Sequence, residues 1–200
     1  RSSDLQSCAY HGGMNNAQFL LDRRIPAGDW NTKTAQKELN EMLKAKYPSA
    51  DKLVTWVSNY QVFFDTQKID SLGLDYAAIK QDAVNLLKKN KMVQYACDME
   101  KASIESIPEE IKYRIINGYN RERSGGVQVI LKPAHYSNGM KGTTHGAWNG
   151  YDTHIPLVFM GWGIQHGAST KPVYMTDIAP TICALLHIQA PNGCIGEPIF

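Results

Sequence analysis

Two hundred residues with 43% apolar and 20% charged side chains are enough to bury a core, and the chain is too apolar to be disordered. The 21 basic and 19 acidic residues leave a formal charge of +2 with no basic block, which excludes a polyanion-binding face and a nucleic-acid partner. No apolar run approaches the roughly 20 residues of a membrane-spanning helix, and no signal peptide stands at the start, so a soluble chain with no membrane partner is expected.

The N-terminal run RSSDLQSCAYHGG has no initiating methionine and no folding signal ahead of its histidine-glycine step, and reads as a boundary. By its neighbours alone His11 is either a loop histidine in a tail or a ligand. Asn31 and Thr32 then cap a helix whose apolar positions Ala35, Leu39, Met42 and Leu43 follow helical spacing, and Pro48 ends it. Residues 53–57 and 60–64 are rich in β-branched and aromatic side chains and read as strands, with Ser58-Asn59 as a bulge or turn between them. Asp75 caps a second helix with Ile79, Ala83, Leu86 and Leu87 on one face and Lys88, Lys89 and Lys91 at its C-terminal turn. Residues 93–99 read as a strand. Pro108, Glu109 and Glu110 open a third helix with Ile111, Ile115 and Ile116 inward and Gly118 near its end. Arg114, Arg121 and Arg123 fit a solvated helix end better than a phosphate clamp.

After Ser124-Gly125-Gly126, residues 127–133 alternate and then turn apolar, the pattern of a core strand stopped by proline. The loop Gly142-Thr143-Thr144-His145-Gly146 follows, in which His145 stands where bare backbone can approach an ion closely. Residues 155–160 form a short apolar run bounded by Pro156 and Gly161, the pattern of a strand buried on both faces. A polar loop is thus delivered to a strand end, where ligands bind in open α/β sheets. On spacing alone His145 is either a hydrogen-bonded structural residue or a metal ligand. His135 reads as structural or as support for a site, and His154, His166 and His187 as core or surface histidines. Thr176 and Asp177 precede a final helix through Ile182, Leu185 and Leu186, with Pro180 in its first turn.

Cys8, Cys97, Cys183 and Cys194 show no paired spacing, so no cysteine zinc site is expected. The chain turns back between Cys183 and Cys194, which lets them pair in an oxidising compartment.

The run GTTHGAWNGYDTHIPLVFMGWGI, with VYMTDIAPTICALLHIQAPNGCIGEPI after it, closely resembles the C-terminal end of PafA-type alkaline phosphatases, in the alkaline phosphatase and type I phosphodiesterase superfamily. The segments NAQFLLDRRIPAG and DMEKASIESIPEEIKYRIINGYNRERSG also look family-like. The resemblance implies that His145 is a ligand of one of two catalytic zinc ions and that His11 is a second metal ligand. Tyr10 departs from the family, standing where a ligating aspartate is expected; a phenol with a pKa of about 10 substitutes poorly for a carboxylate.

The implied fold is α/β, the C-terminal portion of an alkaline-phosphatase-like core sheet flanked by helices, with an α/β insertion subdomain. Residues 1–30 would be a metal-loop segment of the core, 31–125 the insertion, and 126–200 the C-terminal core segment with the His145 loop. The implied activity is zinc-dependent hydrolysis of small phosphate monoesters in the periplasm or outside the cell. A threonine or serine absent from this chain would attack phosphorus, while zinc activates that nucleophile and stabilises the leaving oxygen. A chain offering only His11 and His145 would hold zinc weakly or not at all and be inactive alone. A core sheet missing its first strands exposes an apolar edge, so the isolated chain is expected to self-associate. Two rivals stand beside this reading: a phosphodiesterase or nucleotide pyrophosphatase of the same superfamily, and a non-catalytic pseudoenzyme or binding module, which Tyr10 favours. A sulfatase is disfavoured because no cysteine has a Cys-x-Pro/Ala-x-Arg context.

Overall fold

The computed structural model describes residues 12–161 and 163–199. They belong to two compact units, one within Tyr10–Ile155 and the other within Pro156–Phe200.

In the first unit, Asn16 caps α1 (Ala17–Leu21) by accepting from the Phe19 N–H at 2.8 Å. The short strand β1 (Gly28–Asp29) follows. Helix α2 (Thr32–Lys46) starts at Asn31, whose side chain accepts from the Thr34 N–H at 3.0 Å. Its inward positions Ala35, Leu39 and Leu43 are all buried. Strands β2 (Val54–Ser58) and β3 (Gln61–Phe64) form a hairpin across Asn59-Tyr60. Both turn residues have positive φ, 48° and 59°, the geometry of a tight hairpin that matches strand twist. Asp65 caps α3 (Thr66–Ser71), and Asp75 caps α4 (Tyr76–Leu87) by accepting from the N–H groups of Ala77 and Ala78. Strand β4 (Val93–Asp98) runs into a 3₁₀ turn (Met99–Ile104), followed by α5 (Glu109–Gly118), β5 (Val127–Leu131), β6 (His135–Tyr136) and the single turn α6 (Gly150–Thr153).

The principal sheet has the order β2-β3-β5-β4 and is antiparallel throughout. β5, which follows Gly125-Gly126, is therefore an inner strand of the same sheet as β2, β3 and β4. All five of its residues are buried, and period-2 alternation divides them. Val127, Val129 and Leu131 join a core with Leu39 and Leu43 of α2 and Ile79, Ala83 and Leu87 of α4. Ile130 joins a smaller cluster with Cys97, Met99, Ala102 and Ile115. The buried Gln128 amide is satisfied by the carbonyls of Tyr60 and Val129. At the edge strand β2, Asn40 of α2 occupies both the N–H and the C=O of Val54, at 2.8 and 2.9 Å, which blunts an open strand edge.

Lys80 of α4 is buried and reaches Asp98 at the end of β4 at 2.9 Å, with Glu100 as its second partner. Burial opposes the charge on Lys80, but the bonds to Glu100 and Asp98 outweigh it and hold the ammonium pKa above 10.5. The hydrogen bond from Lys80 holds the Glu100 carboxyl below its usual 4.5.

In the second unit, a 3₁₀ turn (Met175–Asp177) leads into α7 (Ile178–Leu186), which carries buried Pro180, Thr181 and Cys183. Thr181 accepts from the Ile199 N–H at 3.1 Å, and Asp177 accepts from the Glu197 N–H at 3.1 Å, tying the C-terminal segment to the helix.

Three expectations are corrected. Residues 155–160 do not form a strand: no described residue pairs with them, Pro156 has no N–H to donate, and Val158 and Met160 are 50% and 57% exposed. Ile116 points outward, because one residue past buried Ile115 lies about 100° around the helix. Cys183 and Cys194 are free thiols, as is Cys97, whose burial pushes its pKa up to about 12.

Removing one partner of a buried ion pair leaves an uncompensated charge. Asp98→Ala leaves Lys80 only the partly exposed Glu100 and should lower the unfolding free energy in urea titrations by less than the about 3–5 kcal/mol of a wholly unpaired charge, with Lys80→Met combined with Asp98→Leu recovering most of it. Because the folded pKa of Glu100 is depressed, its stabilisation is present above the unfolded value of 4.5 and is lost as pH falls below it. Glu100→Gln should flatten the acid limb of the stability curve in that window.

Candidate functional site

The loop that carries His145 is fixed from several directions. β1 pairs in parallel with β6, Gly28 against His135 and Asp29 against Tyr136. The Trp30 N–H extends the ladder by donating to the Tyr136 carbonyl at 2.8 Å. The Tyr136 hydroxyl then bridges two segments, accepting from the Ala17 N–H at 2.7 Å and donating to the Gly142 carbonyl at 2.6 Å. Asp29 Oδ1 accepts from the N–H groups of Asn138 and Gly139 at 3.0 and 2.8 Å. The Asn138 amide donates to the Thr143 carbonyl, and the Thr143 hydroxyl to the Met14 carbonyl, each at 2.7 Å. A Cβ on Gly142 would lie 2.4 Å from the Asn138 carbonyl oxygen, so only glycine fits that approach.

His145 is exposed at the end of this framework. Two residues on, the Ala147 N–H donates to Asp152 Oδ2 at 2.5 Å. Asp152, on α6, is buried at 4% exposure, and its Oδ1 has no hydrogen-bond partner among the described residues. The Asp152 carbonyl accepts from the Gly12 N–H at 2.9 Å. A Cβ on Gly12 would fall 1.9 Å from the Tyr151 carbonyl oxygen, so this contact also requires glycine. The Tyr151 hydroxyl accepts from the Ala134 N–H and the Asn149 amide at 3.1 and 2.9 Å. Burial first, and the Asp152 charge further, push the Tyr60 and Tyr151 phenols up; their hydrogen bonds act the other way.

The side chains of the remaining candidates do not join this framework among the described residues. His11, Tyr10 and Cys8 lie outside the described residues. His135 Nδ1 is 2.9 Å from the Pro133 carbonyl oxygen. His154 ends α6 and His187 ends α7 in left-handed conformation, while His166 is exposed. Arg114 pairs with Glu110 on its own helix, and Arg121 and Arg123 are exposed. Among the described residues no group of three or more His, Cys, Asp or Glu side chains converges as a metal site. The described residues alone therefore do not make the zinc centre that the resemblance implies; His145 offers one imidazole. Asp29, Tyr136 and Asp152 were missed by sequence reasoning, and for Tyr136 and Asp152 the only signal was their closeness to the glycine-rich loop.

Comparison with known proteins places this arrangement. No family model matches the chain. Alkaline phosphatase PafA of Elizabethkingia meningoseptica is 43% identical over 192 residues, 96% of this chain and 35% of that protein. Alkaline phosphatase PhoV of Synechococcus elongatus is 43% identical over 191 residues, 96% of this chain and 34% of that protein. A Myroides odoratus protein named calcium-transporting ATPase is 45% identical over 193 residues, again 35% of its length. The crystal structure of wild-type PafA superimposes with a TM-score of 0.89, covering 94% of this chain and 36% of that one. The chain spans about a third of the length of the relatives it matches. Over that span the chain has the alkaline-phosphatase-like α/β fold, and in sequence and structure it is similar to the PafA-type alkaline phosphatases.

Tyr136→Phe removes the acceptor for Ala17 and the donor to Gly142. It should reduce stability by about 1–3 kcal/mol, the range for stranding buried polar groups. Amide exchange at Ala17 should rise with it, and unchanged exchange there would contradict the bridging role.

Proposed function

We propose that this chain is the C-terminal part of a zinc-dependent alkaline phosphatase that hydrolyses small phosphate monoesters in the periplasm or outside the cell. The observation that carries the reading is the combined match to PafA, 43% identity and a TM-score of 0.89 over 94% of the chain, in a segment that includes the His145 loop. His145 and His11 are the proposed metal ligands, each through an imidazole nitrogen; the other ligands and the attacking threonine or serine would come from sequence beyond these 200 residues. On this reading the order of the framework around 136–152 serves to hold His145 at a fixed position, as a metal ligand requires. Residues 31–125, together with β5, which completes their sheet, would wall the site as an insertion, with 1–30 and the residues after β5 contributing to the core.

A second reading, a pseudoenzyme, has one observation in its favour: Tyr10 replaces the aspartate that the resemblance leads one to expect. Both readings predict an inactive isolated chain, so the decisive comparison uses the longer protein.

Metal content and p-nitrophenyl phosphate turnover should be measured on both. The 200-residue chain should hold substoichiometric zinc and show no turnover. The longer protein should turn over monoester in preference to bis-p-nitrophenyl phosphate. His145→Ala in it should reduce activity by at least the roughly 10–100-fold typical of losing a group that supports a metal ligand. Stoichiometric zinc with His145-dependent turnover in the short chain would overturn its proposed inactivity, and a metal-free, inactive longer protein would establish the pseudoenzyme. Exposed Val158, Met160, Tyr174 and Met175 fit a proposed self-association of the isolated chain; light scattering should give a mass above the monomer, and a monodisperse monomer would contradict it.

A further inference from the structure

We infer that Asp152 is a positioning residue that clasps two separate histidine-glycine segments, its side chain holding the loop after His145 and its main chain holding the segment that begins at Gly12. The relevance of this clasp to a metal rests on the proposed phosphatase reading; its geometry does not.

Three observations carry it. Asp152 Oδ2 takes the Ala147 N–H at 2.5 Å, and the Asp152 carbonyl takes the Gly12 N–H at 2.9 Å. One residue therefore fixes two chain segments that lie far apart in sequence and that each follow a histidine. The close approach is built into the sequence as well, since any side chain on Gly12 would run into the Tyr151 carbonyl. Finally, Asp152 is almost wholly buried, yet Oδ1 has no hydrogen-bond partner among the described residues. A buried carboxylate oxygen left without a donor is unfavourable. If the Ala147 bond were the only duty of this side chain, an asparagine would meet it without a buried charge. The charge is explained if Oδ1 supports a ligand histidine in the complete site, as carboxylates commonly do behind metal-bound imidazoles.

Two variants separate the parts of the inference. In the 200-residue chain, Asp152→Ala should speed hydrogen exchange of the Ala147 amide, whose acceptor it removes, at least about 10-fold, with the β5 amides unchanged and the Gly12 amide, whose acceptor is the main-chain carbonyl, changed less. Asp152→Asn keeps an oxygen for Ala147 and should hold exchange within about threefold of the parent. In the longer protein, both variants should weaken zinc binding by about 10–100-fold in calorimetric titration, because both remove the charge. Unchanged exchange in Asp152→Ala, or equal loss of protection in β5, would overturn the clasp. Parental zinc affinity in Asp152→Asn would overturn the role of the charge. If the parent longer protein binds no zinc, the metal reading fails, and the exchange experiment still decides the clasp on its own.

Discussion

The structure of the first unit depends on one constraint: β5 is buried along its whole length, so its backbone polar groups must be paired and its side chains must pack on both faces. Antiparallel ladders to β3 and β4 meet the first requirement. The α2 and α4 side chains on one face and the 3₁₀ turn and α5 on the other meet the second. With β5 held, the chain that leaves it is delivered at a defined place, and β6 begins only four residues after β5 ends. The described part of the candidate site is an extension of this sheet's end, reached through the β1–β6 pair.

From that point the organisation changes from packing to hydrogen bonding. Between Tyr136 and Asp152 there is almost no regular structure, and position is set by donors and acceptors on segments distant in sequence: the Tyr136 hydroxyl, the Asp29 carboxylate, the Thr143 hydroxyl and Asp152. Directed bonds of this kind fix a loop with few apolar contacts, and they leave its outer face open, where His145 stands.

The parts of the fold that were legible in sequence are those determined locally. Asn31 and Asp75 cap helices through bonds to N–H groups two or three residues away, and the apolar spacing of Leu39 and Leu43 or Ile79 and Ala83 reports a face directly. The turn near Asn59 was visible for the same reason. The failures share the opposite cause. The 155–160 run looks like a buried strand by composition, but a strand exists only with a partner, and none of the described residues supplies one. Ile116 has the composition of its inward neighbours Ile111 and Ile115, but it follows Ile115 directly and the helical rotation carries it to the solvent side. Within the site, the glycine-rich loop and His145 were legible through the resemblance to the PafA-type phosphatases. Asp152 was not, because its two bonds reach Ala147 and Gly12, and nothing in the residues around it marks those partners.

The proposed role of this framework is to hold His145 against a metal. Anomalous X-ray scattering at the zinc edge from crystals of the longer protein tests it most directly. The account predicts a zinc peak about 2.0–2.1 Å from a ring nitrogen of His145, the normal zinc–imidazole distance. A fully occupied zinc site elsewhere, with the His145 ring far from any metal, would contradict it.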